Sequence, residues 1–186
     1  MGSIVGRNHG TIINCTNHGT VRGSGSGNYT EVGGITGINT GDGAVVANCV
    51  NYGTVTGAGT ATYGTCVGGI AGVAYEGTVA NCVNHGAVTR TGTAYIGGIA
   101  GDQGWTGISS RIANCYWNAS VTANASLPAV GYTYSGDHVV THCVAFTAPA
   151  PGTLKSSVTA GGTSTTSLLT ALNAWVSSPS VAAPSG

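Results

Sequence analysis

The fold this chain predicts is all-β, a parallel β-helix (β-solenoid) of four to five coils, and three observations predict it. The chain repeats itself: residues 67–90, VGGIAGVAYEGTVANCVNHGAVTR, have counterparts at 32–57 and 96–122. Five cysteines keep the register, Cys15, Cys49, Cys82, Cys115 and Cys143, spaced 34, 33, 33 and 28 residues apart. A fixed period in that range marks stacked repeats. Each complete copy holds three short runs rich in Val, Ile and Thr between Gly and Asn, the signature of strands, and no copy carries a helical-period segment.

The copies occupy 3–23, 32–57, 67–90, 96–122 and 130–146, the first without its opening glycine pair and the fifth shortened. The first expected strand of a copy is 32–37, matched by 67–72 and 96–101. The second is 44–50, matched by 11–16, 78–83 and 111–116. The third is 53–57, matched by 19–23 and 86–90. Three strands in about 33 residues describe one coil. Coils stacking about 4.8 Å apart make a rod roughly 20 Å long.

Stacking turns each repeat position into a ladder. Three residues before the cysteine stand Ile12, Val46, Val79, Ile112 and Val140, an expected buried aliphatic ladder. One residue before it stand Asn14, Asn48, Asn81 and Asn114, then His142. Asparagines stacked at a corner can hydrogen-bond along the stack through their amides. The cysteine ladder is expected to be buried, since a free thiol packs as a small hydrophobe, with disulfides between neighbouring coils as the alternative. Cys66 lies outside it, at the position of Glu31 and Tyr95 in other copies, and is expected to be a single exposed or half-exposed thiol.

After residue 146 the pattern stops, so 1–146 is assigned to the solenoid and 147–186 to a C-terminal cap and flexible tail. Within the cap, 166–176 reads as one helical turn or short helix, with Leu168, Leu169, Leu172 and Trp175 on one face. Docked on the last coil, it covers an edge that otherwise invites pairing. The opening Met1-Gly2-Ser3 has no signal-peptide character and stands where a Val-Gly-Gly is due, so a start imposed on a longer parent chain is expected.

Composition excludes several functions. Lys plus Arg number 5 and Asp plus Glu 5, so the net charge is zero and there is no basic stripe for nucleic acid. Charged residues are 5% of the chain, against roughly 25% in ordinary domains. Apolar residues at 41%, recurring in phase, separate it from disordered chains. No run of about 18 apolar residues is present, so this segment inserts no helix into a membrane.

The elements VGGIAG, GTVANCVNHG and GAVTR resemble the GLUG-type repeats of bacterial surface proteins, and NCYWN followed by LLTALNAWV resembles the way such arrays end. The resemblance covers residues 3–176. It implies a β-solenoid in a secreted or cell-surface protein, an adhesin-like stalk or a region accompanying a surface peptidase, and it carries no catalytic residues. The incomplete first copy, the insertion at 103–110 and His142 in place of Asn depart from the pattern.

The chemistry-bearing residues are few. Asp42 and Glu76 fall on one corner of adjacent coils with Asp102 on the same edge, where carboxylates for polysaccharide cleavage would be sought. Each also sits in a Gly-rich turn that keeps a low-charge rod soluble. His18 and His85 are equivalent positions separated by Tyr52, roughly two coil spacings apart, too far to share a metal. No metal site and no cofactor is expected. Asn39-Thr-Gly-Asp42-Gly occurs once, whereas calcium-binding β-rolls need their motif in series. Thr20, Thr54, Thr56, Thr89, Ser120 and Thr122 give a partly threonine outer ladder of the kind that orders ice-like water, but Arg22 and Ala87 break its regularity, which argues against ice binding.

The copies differ most at the corner after their first strand. There the sequence brings Arg7, Asn8, His9, Asp42, Tyr75, Glu76, Asp102, Gln103, Trp105 and Arg111 to one edge of the rod. An exposed Trp with Tyr, Asn, Asp and Gln suits a glycan or an extracellular host protein, and solenoid insertions gather on binding faces. Loop drift without function is the plainer account of the same variation. A second, weaker edge carries Tyr29, Tyr63 and Tyr95. The expectation is therefore a non-enzymatic adhesive stalk or spacer of an extracellular or cell-surface protein. The alternatives are an accessory region of a secreted peptidase or other enzyme, and third a polysaccharide-active β-helix enzyme.

Overall fold

A computed structural model of the chain describes residues 1–59, 61, 64–92, 94–118, 122–133, 138–146, 157–160 and 165–167. Over these residues the chain is a β-solenoid of about 4 turns. The first coil runs through β1 (Val5–Asn8), β2 (Thr11–Ile13), β3 (Thr16–Asn17) and β4 (Val21–Gly25). The second holds β5 (Thr30–Gly33), β6 (Thr36–Thr40), β7 (Val45–Ala47), β8 (Val50–Asn51) and β9 (Val55–Gly59). The third repeats it as β10 (Thr65–Gly68), β11 (Ala71–Tyr75), β12 (Thr78–Ala80), β13 (Val83–Asn84) and β14 (Val88–Thr91). The fourth has β15 (Ala94–Gly97), β16 (Ala100–Asp102), β17 (Arg111–Ala113) and β18 (Tyr116–Asn118), then a 3₁₀ turn at Thr122–Asn124. A partial coil adds β19 (Val130–Tyr132), β20 (Val139–Thr141) and β21 (Val144–Phe146).

A complete coil therefore contains five strands, not the three expected. The Val-Gly-Gly-Ile run is not one strand: it bends after its first glycine, so β5 and β6 belong to different sheets. The sheets run along the rod in the orders β1-β6-β11-β16-β19, β5-β10-β15, β2-β7-β12-β17-β20, β4-β9-β14 and β3-β8-β13-β18-β21. All of these pairings are parallel and keep the sequence register, as in Ile12↔Val46, Val46↔Val79 and Val79↔Ile112. Two further strands, β22 (Ser157–Ala160) and β23 (Thr165–Ser167), extend the β21 edge antiparallel. The helix expected at 166–176 lies outside the described residues, apart from Thr166 and Ser167 in β23.

Two apolar clusters fill the coil. The larger contains Ile35, Ile70 and Ile99 with Val46, Val79 and Ile112, together with Cys49, Cys82 and Cys115. The smaller stacks Val21, Val55 and Val88 against Val32 and Val67. Cys49, Cys82 and Cys115 are buried and every thiol is free. The Sγ–H of Cys49 donates to the Ala47 carbonyl at 3.1 Å, and Cys82 and Cys115 repeat this at 3.1 and 3.2 Å. The aliphatic ladder stays buried through Ile112, but Val140 is 43% exposed, because the coil beyond it is incomplete.

Two asparagine ladders brace the coils. At the expected corner, Asn114 Nδ2 donates to Asn81 Oδ1 at 3.1 Å and Asn81 Nδ2 to Asn48 Oδ1 at 3.2 Å. The backbone explains the residue: Asn14, Asn48, Asn81 and Asn114 have φ of 56, 54, 53 and 54°, the left-handed region that Asn tolerates best among side-chain-bearing residues. The second ladder is Asn17, Asn51 and Asn84, two residues after each cysteine. Asn17 Nδ2 donates to Asn51 Oδ1 and Asn51 Nδ2 to Asn84 Oδ1, both at 2.8 Å. Each Oδ1 also accepts the N–H two residues on, from Gly19, Gly53 and Gly86, closing an Asx turn. The motif Asn-x-Gly is the sequence trace of that turn.

This ladder explains the glycine pair. A Cβ on Gly69 would lie 2.2 Å from the Gly98 carbonyl oxygen and 2.3 Å from Asn84 Cγ. A Cβ on Gly34 would lie 2.5 Å from Asn51 Cγ, and one on Gly98 would lie 2.3 Å from Trp117 Cγ. The ladder ends at Trp117, which takes the next register position after Asn84. Beyond it Asn124 substitutes for a missing coil: its Oδ1 accepts the Val88 N–H at 2.9 Å, where Val55 N–H in the coil below uses the Ala87 carbonyl.

Candidate functional site

The bend at Val-Gly-Gly folds the β5-β10-β15 sheet against the β1-β6-β11-β16-β19 sheet. They approach closely because Gly72 and Gly101 face them: a Cβ on Gly101 would lie 2.3 Å from Val67 N, and one on Gly72 would lie 2.6 Å from Val32 N. Beyond these glycines the sheets open into a groove along the rod. One wall is the register column Arg7, Ile38, Val73 and Asp102. The other is Glu31, Cys66 and Tyr95, the residues that precede the Val-Gly-Gly or Ile-Gly-Gly of successive copies. Tyr95 stacks on Tyr132 with centroids 4.4 Å apart, pairing residues from the two sheets at the groove's far end. The remaining cleft has a volume of about 300 Å³, with Tyr29, Thr40, Tyr75 and Trp105 completing its lining.

The insertion after β16 positions Trp105. Gly104 takes φ +100°, and its Cα approaches Tyr75 so closely that a Cβ would lie 3.1 Å from the ring. The loop is tied at its stem, where Ser110 Oγ–H donates to the Gln103 carbonyl at 3.1 Å. Trp105, 45% exposed, meets Tyr75 edge-on (5.8 Å, 84°) and Tyr29 at a tilt (5.5 Å, 40°). Tyr29 and Tyr95, expected on a separate edge, therefore belong to this groove. Tyr63 lies outside the described residues.

Asp102 is 4% exposed. The Gly104 N–H donates to its Oδ1 at 3.0 Å, and the Cys66 thiol lies 3.8 Å from Oδ2. Burial lifts its carboxyl above the ordinary aspartate range, and the hydrogen bonds from Gly104, Gln103 and Cys66 offset this only in part. Cys66 is not the half-exposed thiol expected: it is buried at 4% exposure. Burial first, then the charges of Asp102 and Glu31, push its thiol far above the usual cysteine value. An uncharged thiol at this depth is a poor nucleophile.

Of the ten residues expected on this edge, Arg7, Tyr75, Asp102 and Trp105 meet in the cleft. Asn8 does not; it is buried, and its Nδ2 donates to Asn39 Oδ1 at 2.8 Å. Gln103 is fully buried, its Oε1 accepting from the Thr133 hydroxyl at 3.2 Å. Both are framework. His9, Asp42, Glu76 and Arg111 are exposed and do not line the cleft. Of the three carboxylates expected on one edge, Asp102 lines the cleft and Asp42 and Glu76 do not. Glu31 and Cys66 were missed as site residues, although variation at the position before each Val-Gly-Gly was their signal.

Comparison of the chain with family models, with curated proteins and with solved structures gives no match. Fold and site together define its class: a β-solenoid with an aromatic-rimmed groove along one side.

Proposed function

We propose that the chain is a non-enzymatic, GLUG-type β-solenoid segment of a secreted or cell-surface bacterial protein, and that it binds glycan in the lateral groove. The observation that carries this is the aromatic rim. Trp105, Tyr75 and Tyr29 present ring faces and edges at a cleft whose walls carry Arg7, Glu31 and Asp102. Sugar rings pair apolar C–H faces with hydroxyls, so stacking area beside sparse polar groups is the chemistry that holds them. A rod of stacked coils also displays such a groove at a distance, as a stalk or spacer does. The test is a glycan and extracellular-matrix array probed with the intact chain and with Trp105→Ala. Specific glycan binding should fall about thirtyfold in the variant, the scale of losing an aromatic hot spot. Binding to matrix proteins alone, or glycan binding indifferent to Trp105, would sink the reading.

One observation favours a polysaccharide-active enzyme as the second reading: Glu31 and Asp102 stand on opposite walls of the same cleft, and glycosidases work with two carboxyls flanking the bond. Release of reducing ends from a bound glycan, abolished by Glu31→Gln, would replace the binding reading with this one.

A further inference from the structure

The two ends of the groove differ in charge. Arg7 belongs to the first coil and Asp102 to the fourth, three register steps away, so their Cα atoms are about 14 Å apart along the rod. Glu31 lies nearer the Arg7 end, where the Met1 ammonium donates to its backbone carbonyl and feels its charge. Among the described residues, no ammonium or guanidinium is paired with Asp102 in this way. Its neighbours are the N–H groups of Gly104 and Gln103 and an uncharged thiol. His138 acts on it through space, with its Nδ1 engaged by Ser110 Oγ at 2.9 Å. A carboxylate 4% exposed, on the wall of a cleft and, among the described residues, without an ion-paired Lys or Arg, is costly to keep. The side chains that share its cleft, Trp105, Tyr75 and Tyr29, have ring faces that attract cations.

We infer that the Asp102 end of the groove binds a primary ammonium group, with Asp102 as counter-charge and hydrogen-bond acceptor and Trp105 and Tyr75 packing on the carbon skeleton that bears it. This rests on the glycan reading and narrows it. The preferred ligand is a glycan with free amino groups, a de-N-acetylated hexosamine oligomer, rather than a neutral or N-acetylated one. The ammonium supplies a full counter-charge that no described residue pairs with Asp102, and fills hydrogen-bonding capacity on its carboxylate that a thiol at 3.8 Å serves weakly. An N-acetyl group offers neither charge nor three donors.

The experiment is calorimetric titration of the intact chain with the glucosamine tetramer, the N-acetylglucosamine tetramer and cellotetraose, with n-butylammonium chloride as the amine without a sugar. The glucosamine tetramer should bind at least tenfold more tightly than the other two, and Asp102→Asn should collapse that ratio to within about threefold. A melting curve on the variant checks that it folds. Glu31→Gln, at the other wall, should reduce the ratio less. Equal binding of all three tetramers overturns the ammonium inference and leaves the glycan reading standing. Binding of n-butylammonium dependent on Asp102, with no binding of any tetramer, upholds the ammonium site and overturns the glycan reading. No heat from any of the four probes overturns both.

Discussion

At the residue scale, single positions here are held from several sides at once. Asn51 bonds Asn17, Asn84, the Gly53 N–H and the Gly53 carbonyl, all within the interior. Asn51→Ala removes these together and leaves the Gly53 N–H unpaired. It should cost about 2–4 kcal/mol in denaturant unfolding, and a variant as stable as the parent would refute the ladder's role. Gly69→Ala places a methyl against backbone on one side and Asn84 on the other. Because neither is the free end of a flexible chain, about 3 kcal/mol or more is expected, read in the same assay. The thiols make a third case. Cys15 and Cys143 are half-buried, whereas Cys49, Cys66, Cys82 and Cys115 are buried. Iodoacetamide on the native protein should modify Cys15 and Cys143 first, and the other four only after unfolding, as read by peptide mass. Early labelling of Cys66 would contradict its burial.

At the element scale, the outer face beside the Asx turns carries a stack of rings. His18 lies on Tyr52 at 4.9 Å and Tyr52 on His85 at 4.7 Å, both pairs nearly parallel, and Phe146 meets His85 edge-on at 5.3 Å. The stack joins four coils, counting the partial one. Partial burial lowers the His85 pKa from its ordinary value, so the unfolded chain takes up this proton before the folded one. Its stabilising contribution is therefore complete above the ordinary histidine pKa of about 6.5 and is lost as pH falls through the lower folded value. The melting temperature should drop between pH 7 and pH 5, and His85→Gln should flatten that part of the profile. An unchanged profile in the variant would remove His85 from the account. The spacing of His18, Tyr52 and His85 in the sequence already placed them in one column, since equivalent positions in a solenoid are neighbours.

At the scale of the whole molecule, the period of the cysteines and of Val-Gly-Gly is enough to determine the solenoid. Each copy exposes an apolar face that only another copy can cover, so repetition itself specifies stacking and register. The residues at fixed offsets from the cysteine followed: the aliphatic ladder, the corner asparagines, the ring column. What the sequence by itself determined was this one-dimensional order along the rod. Tertiary structure decided what happens across it. Whether Val-Gly-Gly-Ile is one strand or a bend depends on Asn51 and Asn84, some fifteen residues later, packing where a Cβ would stand. That bend turns two edges read as separate into the walls of one groove. It brings Glu31 and Cys66 opposite Asp102, and Tyr29 beside Trp105. Asn8 and Gln103, polar and at a variable corner, read as ligand contacts but are consumed by the framework. The physical reason is common to all of these. Register along a stack is a local, repeated hydrogen-bonding rule that a period reveals, whereas the angle between sheets is set by side-chain volume at contacts distant in sequence.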